Sequence, residues 1–396
     1  MKIWQHSLRL VTGLVVLTAL AGLLPPAVQA QQTVYWRSET GSGLWWNGTS
    51  PKPWWYSSWN NEQDRPDRDW RTANDIVFDN NNQTTHDVNG NDWYYVRTLT
   101  FDSTASGART FNRTGSAGID MRGSGTRKIE NNSTASHVFN IPISLVDGTT
   151  EFNPINGDLT FNQPIYLKSN WIDVWGDNQN TLYLNGVLNA DSGNGGLAVK
   201  ENSIVVLTNN NTFTGGIWVE KGTVQLSGST NAMGTGAINV GTNATLDLQY
   251  GGVSLRPVAI NLYGTGTNAN WGAIRKTTAG ASSLRGNITL GADSKVAAPG
   301  GPLTTRSNLV LKGFTLYVTN AYTFSMAAGE MSGSKTTGDG ALRKSGGGAF
   351  VLRPGTNLTG NIFVDQGEIR QSSGTMTGSG TLTMAGGTKY SSDGGT

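Results

Sequence analysis

Ser203 to Gly252 reads SIVVLTNNNTFTGGIWVEKGTVQLSGSTNAMGTGAINVGTNATLDLQYGG. Its β-branched and apolar runs, at 204–208, 217–220, 223–226, 237–240 and 244–248, are parted by clusters of Asn, Gly, Thr and Ser. Apolar runs broken this regularly by turn residues predict strand, turn, strand and no helix. The pattern recurs at a constant step. Leu207, Phe213-Thr214-Gly215, Ile217-Trp218-Val219-Glu220, Gly222 and Val224 fall on Leu352, Leu358-Thr359-Gly360, Ile362-Phe363-Val364-Asp365, Gly367 and Ile369. After a slip of one residue, Gly234 to Val240 falls on Gly378 to Met384. Phe213, Thr214, Gly215 and Gly222, with Leu358, Thr359, Gly360 and Gly367, are thus the expected residues of a structural repeat.

Upstream, the runs at 96–101, 137–141, 158–161 and 181–185 alternate apolar and polar residues, one face buried and one solvated. Their spacing of about 20 residues fits one coil of a parallel solenoid better than the 8 to 12 residue rhythm of a sandwich, which stays the structural alternative. The Asn clusters at 80–82, 131–132 and 209–211 suit corners, where Asn tolerates left-handed backbone and stacked Asn side chains form hydrogen-bonded ladders. Residues 253 to about 340, with Pro257, Pro299 and Pro302, read as a less regular coil or insertion.

Composition supports the same class. Gly, at 53 of 396 residues, has roughly twice its usual share, and 14% charged residues is well below the usual quarter. Lys2 and Arg9, the apolar run 10–24 and the small residues around Ala30 read as a signal peptide cleaved after Ala30, with no stable membrane span left once it is removed. Without the leader, 27 basic residues face 27 acidic ones. A nucleic-acid partner therefore lacks its electrostatic driving force. An exported chain with no Cys must have a core extended enough to stand without disulfides, or a secretion route that disulfides would obstruct.

Residues 31 to about 100 differ from the rest. Trp36, Trp45, Trp46, Trp54, Trp55, Trp59, Trp70 and Trp93 crowd there. A stack of strands needs bulky, atypical units over its open end, which makes this a Trp-rich N-terminal cap with the first coils. The sharper reading is a carbohydrate platform on Trp54, Trp55, Tyr56 and Trp59, since exposed aromatic faces mark binding surfaces.

The run Lys344-x-Gly-x-Gly-x-Phe-x-Leu, then Asn357 to Gly360 and Val364-x-x-Gly367-x-Ile369, resembles the autotransporter-associated β-strand repeat, or passenger-associated transport repeat, of bacterial exported proteins. The copy at Asn211-Thr212-Phe213-Thr214-Gly215-Gly216 is the closer of the two. Trp45-Trp46-Asn47-Gly48 and Asn74 to Asp79 are similar to the leading segment of such proteins, and Asp158 to Phe161 to the coils before the repeat. The resemblance implies an all-β, right-handed parallel β-helix, secreted or displayed on a bacterial outer surface. The expected domains are a signal peptide 1–30, a Trp-rich cap 31–100 and a β-helix 101–396. Only two repeats are present and neither a barrel strand nor an anchor is read before Thr396, so translocation machinery or an anchor is expected elsewhere. The repeat is a scaffold signature and names no ligand.

Nothing in the chain calls for a cofactor. Of three His, His6 lies in the leader, and His86 and His137 have no Cys or helical His-Glu neighbour, so the usual zinc spacing is missing. Asp64, Asp67 and Asp69 are matched by Arg65, Arg68 and Arg71, a salt-bridged loop rather than a calcium site. The enzyme alternative is a polysaccharide lyase or hydrolase using Asp173 and Asp177 near Trp171 and Trp175, with Lys168 close by. The expectation is a non-enzymatic scaffold whose partner is a polysaccharide or a cell-surface or matrix ligand.

Overall fold

The chain divides into residues 1–32 and 33–396. The computed structural model describes the backbone of residues 33–36, 44–45, 54–56, 74, 85–90, 114, 253, 326 and 336–337, and otherwise residues 75–78 and 93–393 apart from 106, 177–179, 192, 252, 269–270, 327–335, 338–339, 353–359 and 373–379. The described residues contain no helix, and so none long and apolar enough to cross a membrane.

Parallel strands stack as a β-solenoid of about 12 turns, each turn crossing three faces. The first face begins with the front half of Trp93–Phe101 and continues through Gly118–Met121, Ile143–Leu145, Ile165–Tyr166 and Leu188–Asn189. The second holds Asn74–Phe78, the rear half of Trp93–Phe101, Arg127–Asn131, Thr150–Pro154, Trp171–Val174 and Gly196–Val199. The third holds Thr85–Gly90, Thr110–Gly115, His137–Asn140, Leu159–Phe161, Thr181–Leu184 and Ile204–Leu207. Two long strands, Gly216–Leu226 and Ile238–Leu248, then bend across the second and third faces together. Between Leu188–Asn189 and Val253–Ser254 the first face holds no strand, yet its turns stay hydrogen-bonded, as from Thr212 N to Leu188 O at 3.1 Å.

Alternation fixes which side chains enter the core. Phe111, Phe139, Phe161, Leu184, Leu207, Leu226 and Leu248 follow one another along the third face, every one fully buried. Phe139 stacks between Phe111 and Phe161 with both ring centroids 4.7 Å away. Just outside that column runs an amide ladder: Asn140 donates to Asn112, Asn162 to Asn140 and Asn185 to Asn162, each at 2.9 Å. This ladder does not run through the clusters where one was expected: 80–82 lies outside the described residues, and Asn131 and Asn132 donate to Ala135 O and to Glu130 instead. The left-handed backbone expected of Asn is not found either. Apart from Gly, only Lys168 and Lys312 have positive φ among the described residues. Buried Asn131 and Asn211 serve corners through their amides instead. Asn211 accepts from Leu188 N at 2.8 Å and donates to Ala232 O at 2.7 Å, tying three turns together.

The two copies of the repeat build the same unit. Leu197, Ile217 and Ile238 stack in the first as Leu342, Ile362 and Leu382 do in the second. Val205, Val224 and Leu246 match Phe350, Ile369 and Tyr390. The first copy occupies the second and third faces, whereas the second copy occupies the third and first. At 22 or 23 residues per turn, as from Phe139 to Phe161 and on to Leu184, the step between copies is not a whole number of turns. Gly222 and Gly367 mark the shared corner, at φ 82° and 80°. A Cβ on Gly222 would lie 2.6 Å from Glu201 O, and one on Gly367 2.8 Å from Gly348 O. Phe213 is fully buried, and Gly215 and Gly360 pass close to the backbone of the preceding turn; Leu358 and Thr359 lie outside the described residues.

The described residues between 253 and 326 are not an irregular insertion. Their strands, among them Ile260–Leu262, Ile274–Lys276, Ser282–Leu284 and Ser294–Ala298, continue the stack in register. Pro257, Pro299 and Pro302 fall between strands, where a missing N–H costs no ladder bond. Pro302 even serves the stack, its carbonyl accepting from Ser282 N at 3.0 Å. At the other end, the parallel series reaches back into the Trp-rich segment, where Thr33–Trp36 pairs with Asn74–Phe78. Trp54–Tyr56 runs antiparallel along Thr33–Trp36.

Candidate functional site

Buried polar residues are part of the wall. His137 is fully buried, stacked on Phe101 at 3.7 Å. Its Nδ1 accepts from Arg109 N at 3.1 Å, so Nε2 carries the proton and donates to Ser133 Oγ at 2.9 Å. Burial, aided by the Arg109 charge, pushes its pKa down to about 3. The unfolded imidazole titrates near 6.5, so between those values the unfolded chain holds more protons. His137 therefore contributes stability that is complete above pH 6.5 and is lost as pH falls toward 3. Urea midpoints measured from pH 7 to pH 4 should decline, and His137→Gln should flatten the slope.

Sequence reasoning missed two buried lysines. Lys276 follows Leu248 in the third-face column, and Lys344 stands between Val318 and Val364 in the neighbouring one. The Lys344 ammonium donates to the carbonyls of Ser345, Gly346 and Gln366 at 3.0, 2.7 and 3.1 Å, and burial lowers its pKa to about 8. A lysine in an apolar strand pattern reads as an outward residue, which conceals this role.

Outward on the second face, Lys128, Glu151, Asp173, Ala198, Trp218 and Asn239 form one continuous row of paired positions. Beside it, the register Val174, Val199, Val219 sets Trp175, Lys200 and Glu220 in line one residue further along. Lys200 Nζ and Glu220 Oε1 are 2.6 Å apart, and Lys128 Nζ and Glu130 Oε2 2.9 Å. Trp171 lies against Gly196, where a Cβ would come 2.8 Å from its ring. Burial raises the Asp173 pKa, Lys200 opposes this, and Glu151 and Glu220 add to the rise.

Trp171 and Asp173 share one strand with Trp175 just beyond its end, and the cation that acts on Asp173 is Lys200, itself paired with Glu220. Lys168 adopts φ 55° and acts on Asp120 of the first face. Asp177 lies outside the described residues, as do Trp59, Asp64, Asp67 and Asp69; for Trp54, Trp55 and Tyr56 only the strand is described. Among the described residues no group of three or more His, Cys, Asp or Glu could hold a metal ion. Trp218 was legible in principle, since alternation between Ile217 and Val219 points it outward; it is 48% exposed.

Searches against protein-family models, curated proteins and solved structures returned no match.

Proposed function

We propose that this chain is a non-enzymatic exported β-solenoid of the autotransporter-passenger kind, presenting its long outer faces to a polysaccharide or matrix ligand. The observation that carries the reading is the placement of the two repeat copies. The same residues specify the same corner at Gly222 and Gly367 on different faces, so the motif encodes stacking and leaves the outer rows free to vary. Outer rows of Asn, Thr and isolated aromatics suit adhesion by many weak contacts. The test is binding of the purified full chain to immobilised polysaccharides and matrix proteins, with β-rich circular dichroism as the folding control. Saturable binding to a surface component supports the reading, and a folded chain that binds none of them overturns it.

A polysaccharide-active enzyme on the same fold is the second reading. Glu151 and Asp173 favour it, being paired positions on adjacent turns with Asp173 held toward its neutral form.

A further inference from the structure

The outward rows of the two copies differ, and the difference at Ala198 and Arg343 changes what the aromatic residue beside it can do. In the second copy the row reads Tyr317, Arg343, Phe363, Thr383. Arg343 lies over the Phe363 ring at 5.9 Å and pairs with Asp365 at 2.6 Å, so the aromatic residue already has a partner. In the first copy the same places hold Asp173, Ala198, Trp218 and Asn239, and Glu220 stands where Asp365 does. Nothing from position 198 can reach across the indole. Ala198 is itself covered, at 3% exposure, while nearly half of Trp218 faces water. Trp175, 40% exposed, stands on the other side of Lys200 in the neighbouring row.

We propose that Trp218, Trp175 and Asp173 form a binding site for a neutral polysaccharide on the second face. This rests on the adhesive reading above and names its ligand class and its place. Exposed indoles offer apolar faces to the C–H side of sugar rings, and carboxylates accept hydrogen bonds from sugar hydroxyls. Asp173 and Trp218 are two strands apart, about 10 Å, so a ligand touching both must extend along the stack. Charge selects against acidic glycans. Glu130, Glu151, Asp173 and Glu220 outnumber Lys128 and Lys200, and both lysines are engaged in ion pairs with two of these carboxylates.

The experiment is calorimetric titration of the full chain with neutral cello- and manno-oligosaccharides and with polygalacturonate, using wild type, Trp218→Ala, Asp173→Asn and Ala198→Arg. Wild type should bind at least one neutral oligosaccharide and not polygalacturonate. Trp218→Ala should weaken binding about tenfold or more, the size expected for a buried aromatic contact, while the melting midpoint moves by less than about 3 °C. Asp173→Asn should weaken it less, and Ala198→Arg, which copies the second repeat, should abolish it. Unchanged affinity in Trp218→Ala, or preference for polygalacturonate, overturns the site while leaving the adhesive reading intact. If wild type binds none of these glycans yet still adheres to a matrix protein, the site is again overturned alone. If it binds no surface component at all, both fall.

Discussion

Phe139→Ala should cost about 3–5 kcal/mol, the usual loss for a buried phenylalanine, and should do so locally. Phe139 is fully buried and stacked on both sides, so truncation removes its apolar burial, two stacked contacts, an edge contact with Phe101 and the support beneath Phe111 and Phe161. A solenoid is stabilised mainly by contacts between neighbouring turns. Hydrogen exchange should therefore accelerate first in Thr110–Gly115, His137–Asn140 and Leu159–Phe161, with turns beyond Gly216 following later. Phe139→Leu should lose much less. A Phe139→Ala chain whose urea midpoint matches wild type would show that this column does not bear the stack.

The second large effect concerns the repeat corner. Gly222→Val and Gly367→Val should each cost several kcal/mol and should match one another closely. Left-handed backbone costs a residue with a Cβ about 1–2 kcal/mol, and forcing a side chain against packed neighbours a further 1–3. Both glycines meet the same obstacle, the carbonyls of the preceding corner. Two controls separate these terms. Gly313 has φ 84° with open space around it, so Gly313→Ala measures the backbone cost alone. Gly347 has open space and no positive φ, so Gly347→Ala should change stability by less than about 0.5 kcal/mol. Thermal and urea unfolding of the four variants checks the series. A large loss at Gly222 with none at Gly367 would mean that the copies are alike in sequence only.

These variants also show where the sequence was readable. Val, Ile, Leu and Phe at alternate positions, with Gly, Asn, Asp, Ser or Pro at the breaks, determined strand and corner locally, so the all-β solenoid and the repeat corners could be read directly. The face each copy occupies could not. It depends on the summed lengths of every turn between them, which vary from 22 residues between Leu226 and Leu248 to 28 between Leu248 and Lys276. Residues 253–340 looked broken because proline is a strand breaker, yet at a corner it gives up nothing. Lys344 was hidden because its charge is satisfied by backbone carbonyls that only the corner assembles.

The candidate site was half legible. Trp171, Asp173 and Trp175 are neighbours in sequence, whereas Glu151, Lys200, Trp218 and Glu220 reach them only through the stack. The many indoles before residue 100 stand out in the sequence, because clustering along the chain is visible there and clustering across turns is not. Ala198 and Arg343 are equivalent positions that leave one aromatic residue open and cover the other.

The claim that this solenoid holds a polysaccharide without acting on it is tested most directly by the fate of the bound glycan. A neutral polysaccharide incubated with the full chain should be retained on the protein, and its chain-length distribution and reducing-end content should not change over a day. New reducing ends or shorter chains, lost on Asp173→Asn or Glu151→Gln, would contradict the account and establish the enzyme in its place.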